Sequence, residues 1–307
     1  MTTPAAWRPL TRRKPASERV IESLLFLAAA VGVVTTLGII AVLAYEALQF
    51  FSVVSPIDFL TGTTWSASIK PYAFGVLALV SGTILVAAIA VVIAVPLGLL
   101  AAVLLSEYSG TRVRSVVKPM LETIAGIPTI VLGFFALYFL TPNILKPIIG
   151  NDNIGTFSAL AAGIVVGILI TPLIASISED SMRAVPRGMR EGAYAMGATK
   201  FEVVRKVVFP AALSGIMASI ILAASRAIGE TMAVVLAAGT KPQLTLNPLE
   251  SVQTMTGFII QISMGDTPQD SIQFKSLFAV AGALFLLTMV LNLISNRVVA
   301  RFRTSYE

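Results

Sequence analysis

The sequence predicts an all-α membrane protein with six transmembrane helices and both termini in the cytoplasm. Three observations carry this prediction: a low content of charged residues, a series of long apolar runs, and an uneven distribution of Lys and Arg. Of the 307 residues, 56% are hydrophobic and only 12% are charged, whereas soluble domains carry about 25% charged residues. The composition therefore predicts that much of the chain lies in a lipid bilayer.

Six apolar runs follow one another along the chain, and each is long enough for the roughly 20 residues that a helix needs to cross a bilayer. Five of them contain no Asp, Glu, Lys or Arg, and the fifth in chain order contains only Arg226 and Glu230. The runs cover residues 23–45, 71–106, 123–145, 153–178, 207–240 and 276–296. Because they lack the alternation of barrel strands, we expect helices, which satisfy their own backbone groups in lipid.

The first run follows a basic segment, as the apolar region of a signal peptide would. Its 23 uncharged residues exceed the roughly 7–15 residues of a signal-peptide core, so we expect a spanning helix. A flexible basic cytoplasmic tail is predicted at residues 1–18, followed by a single transmembrane domain at residues 19–307.

Lys and Arg lie mainly on one side of the predicted membrane. The N-terminal segment, the connections 106–122 and 179–206, and the C-terminal segment carry five, three, six and three of them, 17 of the 22 in the chain. The opposite connections carry four, and the remaining one is Arg226. Because basic residues are retained on the cytoplasmic side, both termini are predicted to be cytoplasmic. Basic loops beside anionic lipid also account for the net charge of +6 without a nucleic-acid partner.

The sequence contains no cysteine and no histidine. These absences exclude disulfides, thiolate or imidazole metal ligands and histidine-based catalysis. No phosphate-binding GxxxxGK[ST] loop is present, and no lysine lies within an apolar run. We therefore expect a conduit through the membrane, with no cofactor or metal bound by this chain, rather than an enzyme.

The longest predicted cytoplasmic connection, at about residues 179–208, has the features of a helix-turn-helix. Its middle is rich in small residues, Gly197 predicts a turn, and Thr199 with Glu202 forms a predicted capping box for a second short helix. Pro210 follows where the chain enters the bilayer. Such a unit suits docking to a partner, and the alternative is an amphipathic hairpin on the lipid headgroups.

This connection resembles the "EAA" loop of the permeases of ABC importers. The residues assigned to this loop are Glu191, Gly192, Ala193, Gly197, Ala198 and Pro210. The chain departs from the usual pattern at Gly192, Val207 and Phe209, where small or apolar character is kept. Two further stretches, "ETIAGIPTIVLG" at 122–133 and "SRAIGETMAV" at 225–234, resemble the phosphate-specific permeases of the PstC type.

The resemblance implies an ATP-driven phosphate importer of a prokaryotic inner membrane, in which this chain forms half of the translocation pathway by alternating access. It implies three partners: a second, PstA-like permease, a PstB-like ATPase dimer and an extracytoplasmic PstS-like phosphate-binding protein. The ATPase would bind ATP-Mg and dock on the coupling loop. Two alternatives stay open, namely another oxyanion as cargo (phosphonate, sulfate or molybdate) and a subunit acting mainly in phosphate signalling.

The charged residues of the fifth run are the main candidates for contact with the cargo. A charge at the bilayer centre costs about 2.5–3.5 kcal/mol and usually faces a water-filled cavity or a bundle interior. Glu230 follows Arg226 by four residues, so we expect both on one helical face, where they can pair. The guanidinium matches two phosphate oxygens, and the carboxylate would accept the phosphate proton and repel sulfate. Ser225 and Thr231 are neighbouring candidates, and the alternative is an ion pair that joins two helices.

Weaker candidates for the pathway are Glu122, Pro128 and Thr129 at the start of the third run. The alternative interpretation is that Glu122 is an acidic residue in the first turn of a helix, favoured by the helix dipole. Pro128 then kinks the third helix, either to shape a pore or to accommodate packing.

Overall fold

The computed structural model describes residues 16–67 and 69–302. Most of the predicted basic tail at residues 1–18 lies outside the described residues. Within the described part, five helices are long and apolar enough to cross a membrane, and the number becomes six if one bent pair counts as a single span. The prediction of an all-α protein with several membrane spans is therefore confirmed.

The helices and strands of the described ranges follow in chain order. The helices are α1 (Ala16–Phe51), α2 (Pro56–Thr61), α3 (Leu77–Val103), α4 (Thr111–Ala125), α5 (Thr129–Phe135), α6 (Lys146–Ile149), α7 (Ala159–Arg183), α8 (Arg187–Ala195), α9 (Lys200–Val203), α10 (Phe209–Ala211), α11 (Leu213–Gly229), α12 (Met232–Ala238), α13 (Met255–Met264) and α14 (Ile272–Phe302). Segments of π-helix continue α3, α5 and α9 at Leu104–Tyr108, Ala136–Leu145 and Val204–Val208. Two short strands, β1 (Trp65–Ser66) and β2 (Ala73–Phe74), pair antiparallel.

The centre of the molecule is the contact between α3 and α7, where glycines allow the two helices to approach closely. A Cβ atom at Gly163 of α7 would lie 2.5 Å from Cγ2 of Ile89, and one at Gly98 of α3 would lie 2.8 Å from Cβ of Ile174. Small residues at such positions let membrane helices pack through their backbones. α11 packs against both helices, so the charged fifth run is held on the central pair.

α1 packs mainly along α14, and most of its side chains are exposed. At its end, Phe50 joins an aromatic cluster that includes Phe59, Trp65 and Phe258. The rings of Trp65 and Phe258 meet edge to face with centroids 4.8 Å apart, and those of Phe50 and Phe59 with centroids 5.7 Å apart. Edge-to-face contacts stabilise such clusters beyond simple burial, and this one ties α1, α2, β1 and α13 together.

The fifth apolar run, 207–240, was expected to form one spanning helix, and this prediction is wrong. The helical arm Lys200–Ala211 meets α11 at a bend of 70°. α11 then ends at Gly229, because Glu230 adopts an extended backbone with φ −66° and ψ 135°. The chain resumes as the separate helix α12. The charged pair therefore lies at a helix break.

The third run, 123–145, also differs from the prediction. α4 and α5 are separate helices with a break at residues 126–128, and the apolar span covers Thr129–Ile149. The residue before a proline is biased away from helical backbone, which places the break just before Pro128. A further apolar helix, α13, lies inside the connection 241–275, where the sequence predicted none.

Candidate functional site

Arg226 lies on α11 with its side chain exposed, one helical turn before the helix ends. It forms no ion pair or hydrogen bond with any residue that the structure describes. Leu222 and Gly229, which lie on the same face, are exposed as well, and a Cβ atom at Gly229 would meet nothing within 4 Å. This face of α11 therefore presents an unpaired positive charge to open space.

Glu230 does not pair with Arg226, contrary to the expectation. Its side chain is buried, with 9% of the residue exposed, and its Oε1 accepts a hydrogen bond from the backbone N–H of Ala233 at 3.4 Å. Its backbone carbonyl accepts a hydrogen bond from the Thr256 hydroxyl at 2.9 Å. The i,i+4 spacing places two side chains on one face only inside a continuous helix, and α11 ends before Glu230.

The two neighbouring candidates make contacts within the fold. The Ser225 hydroxyl donates to Oδ1 of Asn292 on α14 at 3.3 Å. The Thr231 hydroxyl donates to the backbone carbonyl of Gly229 at 3.0 Å, across the helix break. Of the four candidates on the fifth run, Arg226 alone presents a charge on the exposed face.

The candidates Glu122, Pro128 and Thr129 were predicted to lie in one helix, but they lie at or on either side of the break between α4 and α5. Glu122 is exposed in the last turn of α4, so the interpretation as a first-turn residue is wrong. Pro128 caps the start of α5 and Thr129 is its first residue. α5 itself packs on α12, since a Cβ atom at Gly133 would lie 2.8 Å from Cδ1 of Leu236. The break at Pro128 precedes α5 and the break at Glu230 precedes α12, so the two breaks lie at the starts of two helices that are in contact.

The connection between α7 and α11 forms the predicted helix-turn-helix. Gly197 turns the chain with φ +84°, a conformation that favours glycine. The predicted capping box is confirmed, because Glu202 N donates to the Thr199 hydroxyl oxygen at 3.4 Å and Thr199 N donates to Glu202 Oε2 at 2.9 Å. The Thr199 backbone N–H, its hydroxyl and Lys206 lower the pKa of Glu202 to about 2.

The motif residues of this connection divide into an exposed set and a packed set. Glu191, Gly192 and Gly197 are exposed, whereas Ala193 is buried and Ala198 is half-buried between the arms. A cavity of about 330 Å³ opens between the arms. Its lining consists of Ala193, Met196, Gly197, Ala198, Glu202, Val203, Lys206 and Val207. Pro210 is exposed in α10, ahead of the 70° bend.

Arg190 is a residue whose role the sequence did not reveal. Its guanidinium donates to the backbone carbonyls of Val185 at 2.5 Å and Met182 at 2.7 Å, and to Oε1 of Glu107 at 3.0 Å. In the sequence it is one of six basic residues in its connection, and no local pattern distinguishes it. The motif that begins at the adjacent Glu191 singles out this part of the chain, but it does not include Arg190.

A second ionic cluster surrounds Glu179 at the end of α7, and it too was missed. Glu179 is fully buried and accepts from Nε of Arg114 at 2.7 Å and from Nζ of Lys118 at 2.9 Å. The hydrogen bond to Glu179 raises the pKa of Arg114. Partial burial would lower the pKa of Lys118, but its hydrogen bonds to Asp180 and Glu179 raise it above its usual value. Both cations on α4 are therefore held in their charged form.

The region that contains α11 and the α8–α9 connection matches a known family. Residues 94–304 match the model of the binding-protein-dependent transport system inner membrane component. The chain belongs to this family. It is therefore a multi-pass inner-membrane permease subunit of an ABC transporter, and the expectation of a transporter subunit rather than an enzyme is confirmed.

Two related sequences show which permeases of this family the chain resembles. The chain is 35% identical to the probable ABC transporter permease protein YqgH of Bacillus subtilis, over 90% of this chain and 88% of that one. It is 32% identical to the phosphate transport system permease protein PstC of Mesorhizobium japonicum, over 89% and 88%. The resemblance to PstC-type permeases is thus confirmed.

Solved structures of two ABC transporters share the fold. A bacterial ABC transporter involved in alginate import matches with a TM-score of 0.63 at 14% identity, over 93% of this chain and 98% of that one. The MetNI methionine transporter in an inward-facing conformation matches with a TM-score of 0.55 at 20% identity, over 75% and 94%. At these identities the likeness concerns the permease fold alone.

Proposed function

We propose that this chain is the PstC-type permease subunit of an ATP-driven phosphate importer and forms half of its translocation pathway by alternating access. Relatives named as PstC support this proposal, among them the proteins of Mesorhizobium japonicum and of Haemophilus influenzae, the latter 30% identical over 80% of this chain. The Bacillus subtilis relative is named only as a probable ABC transporter permease. The proposal for phosphate therefore depends on the site as well as on the relatives.

The observation that carries the proposal is the exposed, unpaired guanidinium of Arg226. It lies 13 residues beyond Leu213, about 20 Å along α11 at 1.5 Å per residue. Charged residues at such a depth usually face a bundle interior or a water-filled cavity. The helix break beside Arg226 favours the cavity, because broken helices within a membrane line cavities or binding sites. Arginine stays charged there and offers a planar fork for two phosphate oxygens. Arg226 would therefore attract and orient a tetrahedral anion.

Glu230 takes a different part in this proposal from the one that its spacing predicted. Its carboxylate faces the start of α12, where an acidic group is favoured by the helix dipole. The negative charge is thus kept away from Arg226, which leaves the exposed face of α11 positive. Glu230 and Thr231 would shape the helix break, and Ser225 would hold α11 against α14, while Arg226 contacts the anion.

The α8–α9 hairpin and its cavity of about 330 Å³ would dock an ATPase dimer, which binds ATP-Mg and hydrolyses it. A second, related permease would complete the pathway, and an extracytoplasmic receptor would deliver phosphate. The bias of Lys and Arg supports cytoplasmic termini, with the coupling hairpin on the same side.

The experiment is phosphate uptake by the complete complex with Arg226→Gln or Arg226→Lys, beside Arg297→Lys, an exposed arginine of α14, as control. A lost hydrogen bond to a charged group predicts a fall of about tenfold or more for Arg226→Gln, a smaller fall for Arg226→Lys, and no change for the control. Unchanged uptake in both Arg226 variants would remove the site. If the cognate receptor bound sulfate or molybdate in place of phosphate, the cargo would be wrong.

A further inference from the structure

Arg190 attaches the coupling helix α8 to the ends of two spanning helices. Through its bonds to the Met182 and Val185 carbonyls, it holds the C-terminal end of α7. Through Glu107 it holds the π-helical segment that continues α3. Arginine is suited to this position because its planar group donates to several acceptors at once and satisfies the last carbonyls of a helix. Movement of α8 therefore acts directly on α3 and α7.

Glu179 attaches the same end of α7 to α4. Its fully buried carboxylate lies between Arg114 and Lys118 of α4, and Nε of Arg183 lies 3.7 Å from its Oε1. The neighbouring Asp180 also contacts Lys118, but its side chain is 60% exposed. Separating Glu179 from its cations would leave an uncompensated buried charge. α4 is therefore expected to move together with the end of α7.

α4 leads in turn to the proposed anion site. After the break at residues 126–128 the chain continues as α5, whose Gly133 lies against α12. A Cβ atom there would lie only 3.2 Å from the Cα atom of Ala233, so the two helices touch through their backbones. Ala233 is the residue whose N–H binds Glu230 at the break beside Arg226. A continuous series of contacts thus joins α8 to that break.

We propose that Arg190 and Glu179 are positioning residues that transmit the movement of α8 to α4 and α5, and so to the helix break beside Arg226. This inference rests on the proposed function, because it takes α8 as the element that the ATPase moves. The two residues act in series: Arg190 joins α8 to α7, and Glu179 joins α7 to α4. Packed interfaces of this kind switch between discrete arrangements instead of deforming gradually, which suits an alternating-access step.

The competing explanation is that both clusters only hold the fold together. The two explanations differ in one quantity, the amount of cargo transported per ATP hydrolysed. A residue that only stabilises the fold changes how much complex assembles, but leaves this ratio unchanged in the complex that does assemble. A residue that transmits movement lowers the ratio while ATP hydrolysis continues.

The test compares Arg190→Lys and Glu179→Gln with two matched controls in proteoliposomes that contain the complete complex and its receptor. Arg297→Lys makes the same change at an exposed arginine of α14, and Glu18→Gln makes the same change at an exposed glutamate in the first turn of α1. The phosphate transported per ATP is expected to fall about tenfold in the first two variants, as for a typical coupling free energy. It is expected to stay at the wild-type value in the controls.

A second measurement does not depend on the cargo. Because the sequence contains no cysteine, spin labels at Arg187→Cys in α8 and Ile130→Cys in α5, both exposed, would report the distance between these helices. Its ATP-dependent change is expected to shrink in the Arg190→Lys and Glu179→Gln backgrounds. A wild-type complex that changes this distance but carries no phosphate would overturn only the cargo.

Three results would overturn the transmission of movement itself. One is a wild-type transport ratio in both variants, and another is a wild-type complex whose label distance does not respond to ATP. If Glu179→Gln fails to assemble, Arg114→Lys tests the same contact from its partly exposed side, and a wild-type ratio in that variant is the third. A loss of assembly with an unchanged ratio would show that the clusters only stabilise the fold.

Discussion

The backbone N–H of Ala233 donates to the carboxylate of Glu230, which therefore lies at the start of α12 instead of against Arg226. Two opposite charges four residues apart would form an ion pair on a continuous helix. Here the helix ends between them, so Glu230 is buried, where it caps the start of α12, and Arg226 is exposed. Because the two charges are separated, the exposed face of α11 is positively charged. Substitutions of Arg226 and of Glu230 are therefore expected to have different effects on transport.

Glu230→Gln is expected to retain phosphate uptake and the preference for phosphate over sulfate, because the amide oxygen still accepts from Ala233. Glu230→Ala removes the cap and should destabilise the region of α12 by about 1 kcal/mol. Uptake with competing sulfate and the thermal stability of the purified complex measure the two effects. A loss of anion preference in Glu230→Gln would show that the carboxylate contacts the cargo.

Gly163→Ala is expected to destabilise the protein by about 1–3 kcal/mol through overpacking. The new methyl group would meet Ile89 at 2.5 Å, against its Cγ2 rather than a flexible chain end, so α3 and α7 must separate. Gly38→Ala in α1 is the control, because its Cβ would meet nothing within 4 Å. Thermal unfolding of the assembled complex distinguishes them, and equal midpoints for both variants would contradict the close contact.

The capping box predicts that the α8–α9 hairpin is insensitive to pH in the physiological range. The pKa of Glu202, lowered to about 2 in the folded state, means that its contribution is complete above the ordinary carboxyl pKa and is lost only as the pH falls towards 2. Receptor-stimulated ATP hydrolysis by wild type and Glu202→Gln should therefore show parallel profiles between about pH 5 and 8. Profiles that diverge within this range would indicate that Glu202 titrates there.

The buried hydroxyls of Ser178 and Ser219 join α7 to α11 at 2.8 Å. Ser178→Ala should cost about 0.5–1.5 kcal/mol, the usual net value of a hydrogen bond, since the Ser219 hydroxyl keeps its bond to the Ile216 carbonyl. A double-mutant cycle with Ser219→Ala, followed by thermal unfolding, isolates the contact between the two hydroxyls. A coupling energy of zero would show that the bond does not contribute to stability.

Several elements followed from local sequence. The runs at 23–45, 153–178 and 276–296 appear in the structure as α1, α7 and α14, because an apolar segment in lipid must satisfy its backbone internally. Thr199 and Glu202 form their capping box because both partners lie within one turn. These features need no information from distant parts of the chain.

The candidate site was predicted only in part. Arg226 was singled out as a charge on the fifth run and was expected to pair with Glu230. The structure shows no such pair, because the helix breaks at Glu230, whose carbonyl is bound by Thr256, 26 residues away. The clusters around Arg190 and Glu179 join residues up to 83 positions apart. Neither cluster produces a periodic or local pattern in the sequence. Its basic residues cannot be distinguished from the other basic residues of the predicted cytoplasmic connections.

Local sequence was sufficient to predict the main apolar segments, the turn of the α8–α9 hairpin at Gly197, and the family that the chain resembles. Hydrophobicity, helix capping and motif spacing act over a few residues or a single helix, so the sequence alone is enough to recognise them. Tertiary contacts were needed to show that α11 ends before Glu230, that the Glu230 carboxylate lies away from Arg226, and that α8 is bonded to the ends of α3 and α7. These outcomes depend on how distant segments compete for the same hydrogen-bond partners, a competition that only the folded chain resolves.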